Sequence, residues 1–271
     1  MKITVLVENT TKDAALQSKH GLSIYIETAK HKVLFDLGPD DAALNNAQKL
    51  GIDLSEVDTV VISHGHKDHG GALSGFLKVN DKAKIYVQRQ AFEPHYIKKW
   101  FFKIPLSLDE SLVDEDRFVL IDETMRIDDE LFLFSDVKEN FDTKSNRVLL
   151  KKTSSGYVRD DFAHEQSLIV AAEGKVALFS GCSHKGIANI LRTAKKHTPT
   201  IDVVFGGFHL YNPANKTVEP PEVIDRLIDA LSVHDTVFYT GHCTGNEAFE
   251  RMRDRMGEKI QALSTGMVVE I

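Results

Sequence analysis

Apolar positions in the first third of the chain fall in short runs that predict strands at Ile3–Val7, Leu22–Glu27, Lys32–Phe35 and Val57–Ile62. Leu22-Ser-Ile-Tyr-Ile-Glu27 alternates with period two, and Val33, Leu34 and Phe35 form a compact block, as expected of paired strands. The turn chemistry of Asp36-Leu-Gly-Pro-Asp40 ends that block. Residues 41–50 then take helical spacing, closed by Gly51. A further helix is expected to start at Gly70, and a strand to cover Ala83–Gln88.

Residues 92–147 break the rhythm. They hold Trp100, Phe101 and Phe102, two prolines and an acidic stretch from Asp109 to Asp116, and they read as an insertion or cap within a single domain of residues 1–271. Regularity returns afterwards. Strands are predicted at Ser167–Ala172, Lys175–Ser180, Asp202–Phe205 and Thr236–Thr240, and helices at Ile187–Lys196, Pro221–Ser232 and Asn246–Met256. Three of these strands end in glycine-containing turns that carry a histidine: His184, His209 and His242. Open α/β sheets place their ligands at such carboxyl ends. Strands followed by helices in both halves predict a sheet-on-sheet sandwich with helices outside.

Composition narrows the function without naming it. The chain has 271 residues, 42% hydrophobic and 27% charged, enough for one large α/β domain. A formal charge of −7 argues against a nucleic-acid surface. No run approaches the ~20 apolar residues of a membrane span, the N-terminus shows no leader, and two cysteines are too few for a disulfide framework. The expectation is a cytoplasmic protein with a small-molecule substrate, no nucleic acid and no membrane, its oligomeric state open.

The candidate chemistry lies in Ser63-His-Gly-His-Lys-Asp-His69, which places His64, His66, Asp68 and His69 within six positions. Neutral imidazoles and carboxylates are ligands for Zn²⁺, Mn²⁺ or Fe²⁺. In an extended turn His64 and His66 point the same way, while Asp68 and His69 enter the next helix, so one segment can serve two ions. His184 and His242 then supply a third ligand to each. His209 can ligate or carry a proton, and the second role is preferred because imidazole suits it near neutral pH; Asp68 is its catalytic companion. His164 either competes with His184 or is a plain strand-edge histidine. Asp36 is either an orienting group for a ligating imidazole or a turn aspartate. Cys182 and Cys243 each neighbour a proposed ligand, and a thiolate ligates strongly, although small buried thiols are common. The remaining five histidines, His20, His31, His95, His197 and His234, read as ordinary surface or packed imidazoles.

With these residues in place, the chain resembles the metallo-β-lactamase-fold superfamily, whose signature His-x-His-x-Asp-His is His64 to His69 here. Val33-Leu-Phe-Asp36-Leu-Gly and Thr240-Gly-His242 match its first and last motifs. The resemblance implies an αββα four-layer sandwich of α/β class, one or two divalent ions (zinc first, manganese or iron as alternatives), and a metal-dependent hydrolase or transferase. Gly181-Cys-Ser-His184-Lys-Gly-Ile, Gly206-Gly-Phe-His209-Leu and Gly241-His242-Cys-Thr-Gly245 are similar to the branch named for 7,8-dihydropterin-6-methyl-4-(β-D-ribofuranosyl)aminobenzene-5′-phosphate synthase. That likeness implies a transfer onto a small pterin-like or phosphorylated molecule. Trp100, Phe101 and Phe102 would cover an aromatic substrate, with Lys98, Lys99 or Lys103 near an anion. Many superfamily members carry a metal-bridging aspartate where this chain has Cys182. The alternatives are a phosphodiesterase- or lactonase-type hydrolase, and a non-catalytic or redox metal-binding protein.

Overall fold

Two seven-stranded sheets face each other across one core, in a computed structural model that describes residues 1–113 and 115–271. In spatial order the first sheet runs Val268–Glu270, Lys2–Val7, Ser23–Glu27, Lys32–Phe35, Thr59–Val61, Lys84–Gln88 and Phe118–Ile121. The second runs Ile260–Ala262, Val237–Thr240, Val203–Gly206, Lys175–Ser180, Ser167–Ala172, Leu131–Phe134 and Met125–Arg126. Ile24, Ile26, Val33 and Phe35 from one sheet meet Leu133, Leu168, Phe179 and Phe205 from the other, all fully buried. The outer faces are apolar as well. Helices Ala42–Lys49 and Leu73–Val79 cover the first sheet, and Ile187–His197, Pro221–Ser232 and Asn246–Met256 cover the second. Burial on both faces explains why the central strands read as near-continuous apolar runs. The result is the expected αββα order of layers.

Parallel pairing fixes where the site must lie. Lys32–Phe35, Thr59–Val61 and Lys84–Gln88 are parallel neighbours, as are Lys175–Ser180, Val203–Gly206 and Val237–Thr240. Asp36, His64, His184, His209 and His242 all follow the carboxyl ends of these strands. Among the described residues no helix is long and apolar enough to cross a membrane.

Segment 92–147, expected as one cap, divides in the structure. Phe118–Ile121 pairs in parallel with Lys84–Gln88, and Leu131–Phe134 pairs with Ser167–Ala172, so both belong to the main sheets. These strands are short and carry acidic turns between them, which hid their alternation. His95–Lys99 and Phe102–Pro105 do leave the core, but they join Leu149–Thr153 and Gly156–Arg159 in a separate four-stranded sheet. The cap therefore reaches past residue 147. Position 114 of the acidic stretch lies outside the described residues.

At the opposite edge from the site, His31 ties the two sheets together. Its Nδ1 lies 3.1 Å from Asp58, which leads into Thr59–Val61, and its Nε2 lies 2.7 Å from Asp128, in the turn before Leu131–Phe134. Burial opposes charge on this imidazole, but Asp58 and Asp128 outweigh it and raise its pKa. A raised histidine contributes its full stabilisation below the unfolded value near 6.5 and loses it as pH climbs through the folded one. Accordingly His31→Ala is expected to lower Tm by about 2 °C at pH 5.5, and by clearly less at pH 9. An equal difference at both pH values, in parallel thermal melts, would remove the ion pairs from this account.

Candidate metal centre

The site begins with the hydrogen bonds behind the imidazoles. Asp36 is fully buried; its Oδ1 accepts from the Ser63 backbone N–H at 2.7 Å, and its Oδ2 accepts from Ser63 Oγ at 2.7 Å. With its hydroxyl proton committed, Ser63 Oγ accepts from His64 Nδ1 at 2.8 Å. Asp36 Oδ2 also accepts from His69 Nδ1 at 2.7 Å. His184 Nδ1 donates to Asn146 Oδ1, and His242 Nδ1 donates to Asn9 Oδ1, each at 3.0 Å. In their neutral form all four imidazoles are thereby held in the tautomer that leaves Nε2 with a lone pair.

Those Nε2 atoms converge. Nε2 of His64, His66 and His184 is buried with no partner among the described residues, and the ligating atoms of these three lie within 4.8 Å of one another. His69 Nε2 lies 3.2 Å from both His242 Nε2 and Cys182 Sγ. Asp68 Oδ2 reaches to 3.3 Å from His242 Nε2 and 3.7 Å from His69 Nε2. Burial, followed by the neighbouring imidazoles, holds the pKa of His64 well below its usual range; burial does the same for His66 and His184. Burial opposes charge on His69 too, yet Asp36 and Asp68 raise it to about 9, so a cation bound there displaces a proton. Buried, neutral, orphaned imidazole nitrogens facing a carboxylate form a donor set that suits one or two divalent ions.

The backbone is bent to make this possible. Asp36, Ser183, His209 and His242 are all left-handed, with φ of 57°, 56°, 48° and 51°. Such residues cost on the order of 1–3 kcal/mol each and persist only when their surroundings hold them. At His242 and beside Ser183 buried carboxylates do so. Glu8 accepts from the His242 N–H at 2.6 Å, and Glu165 accepts from the N–H groups of His184 and Lys185 at 2.6 and 2.8 Å. Burial pushes Glu165 up to about 7 despite these two donors. Gly181 has a different reason for its identity. A Cβ there would fall 2.1 Å from Ser63 Oγ, so a larger residue would push the two sheets' turns apart.

His164 and His184 differ in their hydrogen bonds. His164 Nδ1 accepts from the Gly65 N–H at 2.9 Å and its Nε2 lies 3.3 Å from Asp160, which leaves no lone pair for a cation. It buttresses the His64–His66 turn instead. Cys182 lies among the imidazoles, and burial raises its thiol well above the usual range. Cys243 shares a cluster with Cys182 and His242. His209 sits with its ring 4.2 Å from that of His184, and both nitrogens of His209 are buried and unpartnered among the described residues.

A cavity of about 400 Å³ opens over these groups. His66, Asp68, His184, His209 and His242 lie at it, with Ile97, Ile104, Leu106 and Leu149 along an apolar wall. The structure does not bring Trp100, Phe101 or Phe102 into this cavity. They form the tip of the 95–105 hairpin and are 78%, 95% and 69% exposed, because strand pairing turns the tip outward. Of the three lysines considered, only Lys99 lines the cavity, joined by Lys67.

Several contributors carried no local signal. His20, read as ordinary, lines the cavity 3.6 Å from Asp68, its ring centroid 4.6 Å from that of His242 with the two planes tilted by 39°. Glu8, Asn9 and Asn146 act on ligands 234, 233 and 38 residues away. Glu165 was adjacent to a singled-out histidine, and its burial alone marks it.

A two-sheet sandwich with convergent imidazoles at the strand ends defines the class of protein: the chain belongs to the metallo-beta-lactamase superfamily, whose profile matches residues 19–242. It is 26% identical to the 7,8-dihydropterin-6-methyl-4-(beta-D-ribofuranosyl)-aminobenzene-5'-phosphate synthase of Methanocaldococcus jannaschii, over all of this chain and 96% of that protein. Among solved structures it is similar to Tm1679, described as a metal-dependent hydrolase of the beta-lactamase superfamily, with a TM-score of 0.81, 27% identity and coverage of 100% and 99%. Zn²⁺-bound PqqB from Methylobacterium extorquens shares the fold, with a TM-score of 0.59 and 12% identity over the full length of both chains.

Proposed function

We propose that this protein is a metal-dependent enzyme that acts on a small, pterin-like and phosphorylated molecule by group transfer. The observation that carries the metal-dependent part is the set of four imidazoles whose Nδ1 atoms are tied back and whose Nε2 atoms converge below one cavity. His64, His66 and His184 would hold one ion, and Asp68, His69 and His242 a second, with Cys182 between them. Zinc suits this mixture of imidazole, carboxylate and thiol. When bound, the ions supply Lewis acidity.

The substrate class is supported by the full-length likeness to the M. jannaschii synthase. The cavity agrees with it in kind: an apolar wall for a flat ring, and two lysines, Lys67 and Lys99, for an anion. His209 holds a proton at one of its two free ring nitrogens, next to the metal ligands, and gives it to a departing oxygen or nitrogen. Asp36, Asn9 and Asn146 keep the ligating rings oriented while this happens.

A hydrolase is the second reading, favoured by the full-length likeness to Tm1679. The two are separated by assaying Zn²⁺-, Mn²⁺- and Fe²⁺-loaded protein on reduced pterin substrates and on generic phosphodiesters, lactones and thioesters. Turnover confined to pterins is expected. Rapid turnover of a generic phosphodiester would sink the transfer reading.

A further inference from the structure

We infer that Asn212 is a substrate-recognition residue, whose side-chain N–H donates to a ring carbonyl of a bound heterocycle. The inference rests on the pterin-like reading above and names the contact that would select the ring.

Asn212 lies three residues after His209, in the two-residue strand Tyr211–Asn212 that pairs with Thr217–Val218. It lines the same cavity as His184 and His209, and it is 2% exposed. Its amide orientation is not arbitrary. Oδ1 accepts from the Ala214 N–H at 2.9 Å, so the opposite flip would set an NH₂ group against a backbone N–H. Nδ2 is therefore the free end, and it is buried with no acceptor among the described residues. Buried donors are nearly always paired, and one that is not calls for a reason.

The hairpin cannot easily relieve the orphan by moving. Leu210 N–H donates to Cys243 O at 3.0 Å, and Glu219 N–H donates to Leu210 O at 2.8 Å. Glu219, itself buried, accepts from the N–H and Oγ of Ser145, each at 2.7 Å. The 210–219 segment is thus clamped both to the turn bearing His242 and to the loop bearing Ser145, another cavity residue. A fixed, unpartnered donor on a residue that lines a cavity with an apolar wall suits the orientation of a ring and the rejection of analogues that cannot accept. Among the unpartnered cavity atoms it is the amide, with no titratable proton, that is suited to recognition rather than to proton transfer.

The test is a reversal of preference rather than a loss of binding. 7,8-Dihydropterin has a ring carbonyl, and 2,4-diamino-7,8-dihydropteridine has an amino group in its place. Affinities of both for the zinc-loaded wild-type protein and for Asn212→Asp and Asn212→Ala are measured by fluorescence titration, with zinc content and Tm followed in parallel. Wild type is expected to favour the carbonyl compound by about tenfold or more, Asn212→Ala to lose most of that preference, and Asn212→Asp to invert it. A merely structural asparagine would weaken both ligands together and leave their ratio alone. An unchanged ratio in the variants overturns this contact while the pterin reading stands. Failure of the wild-type protein to bind either pteridine overturns the pterin reading, and this contact with it.

Discussion

Alanine at His66 is expected to lower metal affinity at least about 10²-fold and activity with it. The reasoning is one of division. A complete protein ligand set for zinc is worth roughly 10–16 kcal/mol at neutral pH, so one ligand of three or four accounts for about 3 kcal/mol, or some 10²-fold. His164, whose ring lies 5.3 Å from that of His66, cannot replace it, because both its nitrogens are engaged by Gly65 and Asp160. The measurement is metal per chain after dialysis against a weak chelator, with circular dichroism to establish that the variant folds. His66→Asn, closer in size, guards against a cavity effect and is expected to behave alike. Wild-type metal content in either variant would remove His66 from the ligand set.

His209→Gln is expected to show the opposite pattern, with kcat falling about 10²- to 10⁴-fold, the ordinary worth of a positioned acid or base, and metal retained. Two observations frame this outcome. Both ring nitrogens of His209 are unpartnered among the described residues, so either can carry the proton. Yet its ligating atom also lies within 4.8 Å of those of Cys182 and His184, close enough for a ligand. Metal analysis beside kinetics separates the roles. If His209→Gln loses metal as His66→Ala does, the residue is a ligand and the proton must come from elsewhere, with His20 the nearest alternative at the cavity rim.

The layers and the ligand run were legible because their signals are local. A strand buried on both faces is an apolar run, and a ligand cluster confined to six positions needs no tertiary knowledge to be noticed. Helices Pro221–Ser232 and Asn246–Met256 keep the bounds expected of them, since proline and glycine mark their ends. What escaped was whatever depends on distant pairing. Phe118–Ile121 and Leu131–Phe134 looked like cap because only their neighbours, Lys84–Gln88 and Ser167–Ala172, make them sheet. Trp100, Phe101 and Phe102 looked like a substrate cover because aromatic composition does not reveal which way a hairpin tip points. His20 carried no marker at all, its partner His242 being 222 positions later in the chain.

The tethers of the ligands also set an order of events during synthesis. Asn9 and Glu8, which hold the ring and backbone of His242, leave the ribosome more than 230 residues before the turn they hold. With the ligands proposed above, the second ion's place would exist only once residues 8 and 9 have met the turn at 242. Completion of such a centre would therefore be a late step, and a chain truncated before residue 242 would carry the signature motif without the turn that closes the site.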